Sequence, residues 1–153
     1  MMTNEELKTR ITELIPGATF EEGGEWLNIH VEAGSWPDLA KQLRDNPAYR
    51  FDYLFCLTCV DWNTHLTMVY HLTSTEFRHT IVVKSKLDSG KPEIGTVSNV
   101  WKTAEFHERE VYEMFGVNFL NHPDLRLLIL SDGWEGKNPM RKDFEDPVNM
   151  RKL

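Results

Sequence analysis

The residues best placed to do chemistry lie between Glu105 and Arg126: Glu105, Glu108, Arg109, Glu110 and Glu113, then Gly116, and beyond it His122-Pro123-Asp124-Leu125-Arg126. Read as a helix over 103–115 at about 100° per residue, the segment places Ala104, Val111 and Phe115 on one stripe with Glu108 in its middle. A carboxyl there is costly unless paired, and burial raises its pKa unless Arg126 or Arg141 neutralises it. Glu108 could serve as a general acid or proton relay, or it could make a structural ion pair that fixes the 116–126 loop against the helix. The ion pair is the better supported of the two, because no nucleophile or second acid sits near enough in sequence to build an active site. Arg109 falls on the opposite side with Glu105 and Glu113 at i−4 and i+4, a ladder in which one guanidinium serves two carboxylates. His122 to Arg126 reads as a rigid turn rather than a substrate loop. Pro123 fixes φ, Asp124 can cap backbone N–H groups, and His122 and Arg126 point to carboxylates within the fold or across an interface.

Other reactive side chains carry weaker signals. Cys56 and Cys59 form a lone Cys-x-x-Cys, which is half a zinc site or a redox pair in some proteins. Here it falls in an apolar, strand-like run, where positions three apart face opposite sides, and no second pair of cysteines completes a tetrahedral site. Both are read as ordinary buried thiols, which implies a reducing compartment and fits the cytoplasm. The six histidines include no i, i+4 pair of the kind that binds metal on a helix. His65 and His71 could share a strand face, and all six are read as surface or cross-strand residues. Nucleotide binding has no local support, since neither Gly-x-Gly-x-x-Gly nor a Walker loop occurs.

The elements that must position these groups can be read from periodicity. Thr3 with Glu6 makes a capping-box pattern, and Leu7, Ile11, Leu14 and Ile15 follow at helical spacing, which predicts a helix over 4–15 ended by Pro16-Gly17. Residues 18–22 and 25–32 alternate as strands, with Gly23-Gly24 as a two-residue hairpin turn. Ser35 can cap a second helix with Pro37 in its first turn and Leu39 and Leu43 inward, ending before Asn46-Pro47. Three strands are predicted at 53–60, 66–73 and 77–87, then a loop over 88–92 leading to the 103–115 helix, with Gly116 as its stop. The expected fold class is α+β: a two-layer domain over 1–130 with helices packed on a mixed β-sheet, followed by an extended C-terminal arm over 131–153. In that arm Trp134, Met140, Phe144, Val148 and Met150 stand among glycine, proline and charge without a period, so the arm is expected to order on another protein.

A chain of 153 residues, 41% hydrophobic and 27% charged, has the size and composition of one globular domain. No apolar run approaches the roughly 20 residues needed to cross a bilayer, and Thr3-Asn4-Glu5-Glu6 is not the start of a signal peptide. The net charge of −7 argues against nucleic acid and against anionic membrane surfaces as partners.

Glu108-Arg109-Glu110, two residues, the acidic Glu113, Met114-Phe115-Gly116 and then His122-Pro123-Asp124-Leu125-Arg126 resemble the signature of the 30-kilodalton subunit of proton-pumping NADH:quinone oxidoreductase, respiratory complex I. Downstream, Asp132, Trp134, Gly136, Pro139 and Arg141-Lys142-Asp143-Phe144 are similar to that family's tail, and 51–61 to its middle strand. Asn121 and Leu127 depart from it, standing where a glycine and a second arginine are common. The resemblance implies a non-catalytic peripheral-arm subunit on the cytoplasmic side of the cell inner membrane, touching the membrane only through the complex. Its partners would be chiefly the quinone-site subunit and cluster-bearing neighbours. The chain itself would hold no cofactor, while NADH, flavin, iron-sulfur clusters and quinone belong to the implied complex. Partner contact or structural support then falls to Glu105, Glu108, Arg109, Glu110, Glu113, Gly116, His122, Pro123, Asp124, Arg126, Trp134, Arg141, Lys142, Asp143 and Phe144. The same signature fits the equivalent subunit of a membrane-bound hydrogenase, or of an oxidoreductase with a donor other than NADH. A reading of another class is a small free-standing enzyme with Glu108 as its acid.

Overall fold

Residues 1–150 are described by the computed structural model; the last three residues of the predicted arm lie outside it. Helix α1, Asn4–Leu14, starts at the predicted capping box, in which the Thr3 side chain accepts from the Glu6 N–H and the Glu6 carboxylate accepts from the Thr3 N–H. It turns Leu7 and Ile11 into the core. Strands β1, Thr19–Glu21, and β2, Leu27–His30, pair antiparallel, but the turn between them is longer than two residues, because the pairing closes at Glu21 and Asn28. Helix α2, Trp36–Asp45, buries Trp36, Leu39, Ala40 and Leu43, with Pro37 in its first turn as expected. Ser35 makes no side-chain cap: it belongs to a 3-10 turn over Ala33–Ser35, and its hydroxyl donates back to the Glu32 carbonyl.

The centre of the molecule is an antiparallel meander of β3, Tyr53–Asp61, β4, His65–Thr73, and β5, Thr80–Asp88. The third strand begins later than its apolar content suggests, because Arg78, at φ 60°, is still part of the turn. Strand β2 adds parallel to β5, Leu27 opposite Ile81, giving a mixed sheet in the order β1-β2-β5-β4-β3. Alternation decides the layers. Leu66, Met68, Tyr70 and Leu72 of β4 and Ile81, Val83 and Leu87 of β5 share the core with the buried apolar residues of the three α-helices. Among the described residues the opposite face carries no helix, yet Val69 and Val82 are buried on it. Trp26 leans across that face, its ring 6.1 Å from Phe55 and 5.9 Å from His71.

Helix α3, Ala104–Phe115, ends at Gly116 in the left-handed region, φ 76°, as the sequence predicts. It is flanked by two strands too short for any periodicity to reveal, β6, Glu93–Gly95, and β7, Asn118–Leu120, which pair parallel as a separate two-stranded sheet. Gly95 lets β6 close on α2: a Cβ there would stand 2.5 Å from Pro37 Cγ. Asn121, where a glycine is common in the resembling family, has φ 63°, a conformation asparagine tolerates better than most residues.

Candidate functional site

Helix α3 presents different chemistry on its two sides, and both are buried. On the core side the stripe is as predicted: Ala104, Val111 and Phe115 are buried and Glu108 between them is 0% exposed. No arginine among the described residues reaches it. Glu108 Oε1 accepts the Val97 N–H at 2.8 Å and Oε2 accepts the Thr96 hydroxyl at 2.5 Å. His122 Nε2 is 3.6 Å from Oε2 and 3.0 Å from the Glu105 carbonyl oxygen. Because His122 Nδ1 accepts the Asp124 N–H at 3.0 Å, its ring proton belongs on Nε2, and that N–H holds the loop against the helix. The loop is therefore held against the helix by His122 on the Glu105 carbonyl, and Glu108 is held by two donors from the β6–α3 segment; neither Arg126 nor Arg141 takes part. Burial pushes the Glu108 carboxyl up to about 7, the Glu105 charge adds to the rise, and the Thr96 and Val97 hydrogen bonds oppose it. The buried Tyr70 hydroxyl feels the Glu108 charge; burial first and that charge second push it well above the ordinary phenol.

On the other side the predicted charge ladder is absent. Arg109 and Glu113 are 5% and 1% exposed, because the chain after β7 runs over them as a strap. Arg109 Nε and Nη2 donate to the carbonyls of Arg126 and Leu127 at 3.1 and 2.5 Å. The Glu113 carboxylate accepts the successive N–H groups of Leu128, Ile129 and Leu130 at 2.8, 3.0 and 3.1 Å. These charges satisfy backbone groups that no strand partner reaches, a stronger claim on them than an exposed i, i+4 pair. Fixed by its backbone, the strap turns side chains outward: Leu128 and Ile129 are exposed, as is Phe106, whose ring centroid is 5.4 Å from the Arg109 guanidinium.

The remaining signature residues have plainer places. Asp124 takes the Arg126 guanidinium at 2.9 Å instead of capping backbone, which holds its carboxyl below the usual range, and Pro123 is exposed beside it. Glu105 is half-buried and contributes its carbonyl, while Glu110 is exposed beside a small cavity of about 140 Å3 that Cys59 and Met140 also line. The arm is fastened at its middle. Met140 N–H donates to the Met114 carbonyl, the Arg141 guanidinium to the carbonyls of Phe115 and Ser89, and Lys142 N–H to Asp61. Arg141 is thus engaged within the fold, 3.7 Å from Asp61. Trp134 and Phe144 pair at 6.4 Å, Asp143 lies exposed 3.9 Å from Arg141, and a groove of about 810 Å3 runs beneath the arm.

Cys56 and Cys59 are free and face opposite sides, Cys56 across from His71 and Cys59 across from Met68; burial pushes the Cys59 thiol up to about 12. His65 and His71 do share a strand face, lining a groove of about 620 Å3 on the open side of the sheet. His79 departs from the surface reading: it is buried, with Nε2 2.8 Å from the Tyr49 carbonyl. Among the described residues no three His, Cys, Asp or Glu side chains are grouped to hold a metal ion, and no helix is long and apolar enough to cross a membrane. Sequence reasoning missed Asp61, Thr96, Ser98 and Tyr70. Asp61, a buried acid ending an apolar strand, was open to detection; the Thr96-x-Ser98 step leaves no local signal.

Residues 29–149 match the family described as "Respiratory-chain NADH dehydrogenase, 30 Kd subunit". The chain is similar to the C subunit of NADH-quinone oxidoreductase from Chlorobium phaeobacteroides, 40% identical over 118 residues, covering 75% of this chain and 70% of that protein. It is 47% identical over 100 residues to the C/D subunit of NADH-quinone oxidoreductase from Phocaeicola vulgatus, covering 64% of this chain but 19% of that protein, so it spans about a fifth of that relative's length. Among solved structures it is similar to a chain in the membrane-bound sulfane sulfur reductase, an archaeal respiratory membrane complex, with a TM-score of 0.80 and 31% identity over 92% of this chain and 85% of that one.

Proposed function

The chain belongs to the family of the respiratory-chain NADH dehydrogenase 30 Kd subunit, and from that premise we propose that it is a non-catalytic scaffold subunit in the peripheral arm of a proton-translocating NADH:quinone oxidoreductase. The family match over 29–149, which takes in α3, the strap and most of the arm, carries the reading. The clamp supports it: Arg109 and Glu113 bind backbone, not a cavity, and the strap they shape displays Leu128 and Ile129 to a neighbour. Preorganised apolar side chains of this kind suit a protein interface, since little ordering cost remains to be met on docking. On this reading the partners are chiefly the quinone-site subunit and cluster-bearing neighbours. NADH, flavin, iron-sulfur clusters and quinone belong to those other subunits, and this chain holds none. It sits on the cytoplasmic side of the cell inner membrane and meets the membrane only through the complex.

Affinity purification of the tagged chain from native membranes tests the proposal. Recovery with cluster-bearing, quinone-site and NADH-binding subunits is expected, and recovery as a solitary monomer overturns it. The likeness to a chain of the sulfane sulfur reductase favours a second reading, the equivalent subunit of an assembly with a donor other than NADH, such as a membrane-bound hydrogenase. Co-purifying cluster-bearing subunits without an NADH-binding one would select it.

A further inference from the structure

We propose that Glu108 is a reversible proton-binding site, loaded from solvent through a relay of two hydroxyls, Ser98 and Thr96. The geometry is a continuous chain of oxygens. Thr96 Oγ is 2.5 Å from Glu108 Oε2 and 2.8 Å from Ser98 Oγ, and it also accepts the Ser98 N–H at 3.1 Å. Glu108 is fully buried and Thr96 buried, whereas Ser98 is half-buried, the outermost of the three.

A threonine oxygen has one hydrogen and two lone pairs, and both protonation states of Glu108 satisfy all three. With Glu108 ionised, Thr96 donates to the carboxylate while accepting the Ser98 hydroxyl and the Ser98 N–H. With Glu108 protonated, Thr96 accepts from the carboxylic acid and still accepts the Ser98 N–H, and its own hydrogen turns to Ser98 Oγ. Passing between the states moves three protons by one bond each. Thr96 gives its hydrogen to Glu108, Ser98 gives its hydrogen to Thr96, and an acid in solvent, hydronium or protonated buffer, replaces the hydrogen on Ser98. One proton enters, each hydroxyl keeps one hydrogen, and no heavy atom need move.

The groups around Glu108 favour a site that can fill and empty. From α3 it faces the Glu105 charge; from the loop after β7, the Nε2–H of His122; from β4, the Tyr70 hydroxyl, with Trp36 of α2 and Cys59 of β3 beside that ring. Arg109 points to the strap, Arg126 to Asp124 and Arg141 to Asp61, so among the described residues no fixed cation locks the carboxylate in its ionised form. Burial then places its ionisation near neutrality.

Carboxyl resonances of the full chain labelled with 13C at glutamate test this. The Glu108 line is assigned by its correlation with the Val97 N–H and by its loss in Glu108→Gln. In the unaltered chain one averaged line should move between about pH 5 and about pH 9, because proton exchange through the relay is fast. In Ser98→Ala, which removes only the outer oxygen, exchange should slow by at least about tenfold, so the line broadens or splits. A Glu108 carboxyl that does not titrate in that range overturns the site. Unchanged exchange in Ser98→Ala overturns the relay. Should Glu108→Gln fail to fold, the Val97 correlation still gives the assignment.

Discussion

Glu108 carries a linkage between pH and stability whose sign is fixed by its surroundings. Its carboxyl is raised to about 7 in the fold against 4.5 for an exposed glutamate, so the native state binds the proton more tightly than the unfolded one. The stabilisation is fully present below about pH 4.5, diminishes as the pH rises and is gone once it passes about 7. A shift of this size corresponds to roughly 3 kcal/mol. Glu108→Gln, which mimics the protonated acid, should therefore lose stability relative to the parent least, or even gain, at alkaline pH. Urea unfolding of both chains at about pH 5 and about pH 9 checks this, and a constant difference between them would refute it. The burial of this acid was legible in the sequence, since a residue in the middle of an apolar stripe enters the core with it. Its partners were not, because His122, Thr96 and Val97 come from segments with no periodicity. Gly116 belongs to the same scale: at φ 76°, with a Cβ that would stand 2.5 Å from Asn138 Nδ2, Gly116→Ala should cost about 1–2 kcal/mol from backbone strain alone, read as a lower urea midpoint.

At the scale of elements, helix α3 shows what periodicity can and cannot tell. Its extent, its buried stripe and its glycine stop follow from spacing, as do the capping box of α1 and the strands of the meander. The reading of Arg109 and Glu113 failed because a helical wheel knows nothing of a chain that returns over its outer face. A charged residue opposite the core is ordinarily solvated; here the strap's orphan carbonyls and N–H groups claim both charges. The short parallel pair β6–β7 escaped for a related reason, since three residues are too few to alternate visibly. The clamp makes a direct prediction. Glu113→Ala removes the acceptor of three N–H groups, and Arg109→Ala strands the Arg126 and Leu127 carbonyls. Each should cost about 1–3 kcal/mol. In Glu113→Ala the amides of Leu128, Ile129 and Leu130 should exchange with deuterium far faster while those of β4 keep their protection. Uniform loss of protection across the chain would show that the strap is part of the cooperative core.

For the whole molecule, the arm is tied to the domain at 140–142, while the Met140 side chain and Val148 remain exposed. Deleting 131–153 should leave the domain folded, with a modest drop in thermal midpoint from the lost Arg141 and Lys142 contacts, and should prevent stable recovery with partner subunits. Unfolding of the truncated chain with undiminished partner recovery would place the arm in the core instead. The parallel pairing of β2 with β5 sets an order in time. Strands β3, β4 and β5 follow one another with connections of only three and six residues, so they can find each other quickly, whereas Leu27 must await Ile81 from the far end of the meander. Closing that long loop is entropically slow and is rewarded only by a finished β5 to dock against. In pulse-labelled refolding the amides of β4 should become protected before those of β2, and a ribosome that has not yet released residue 88 holds an N-terminal hairpin with nowhere to dock.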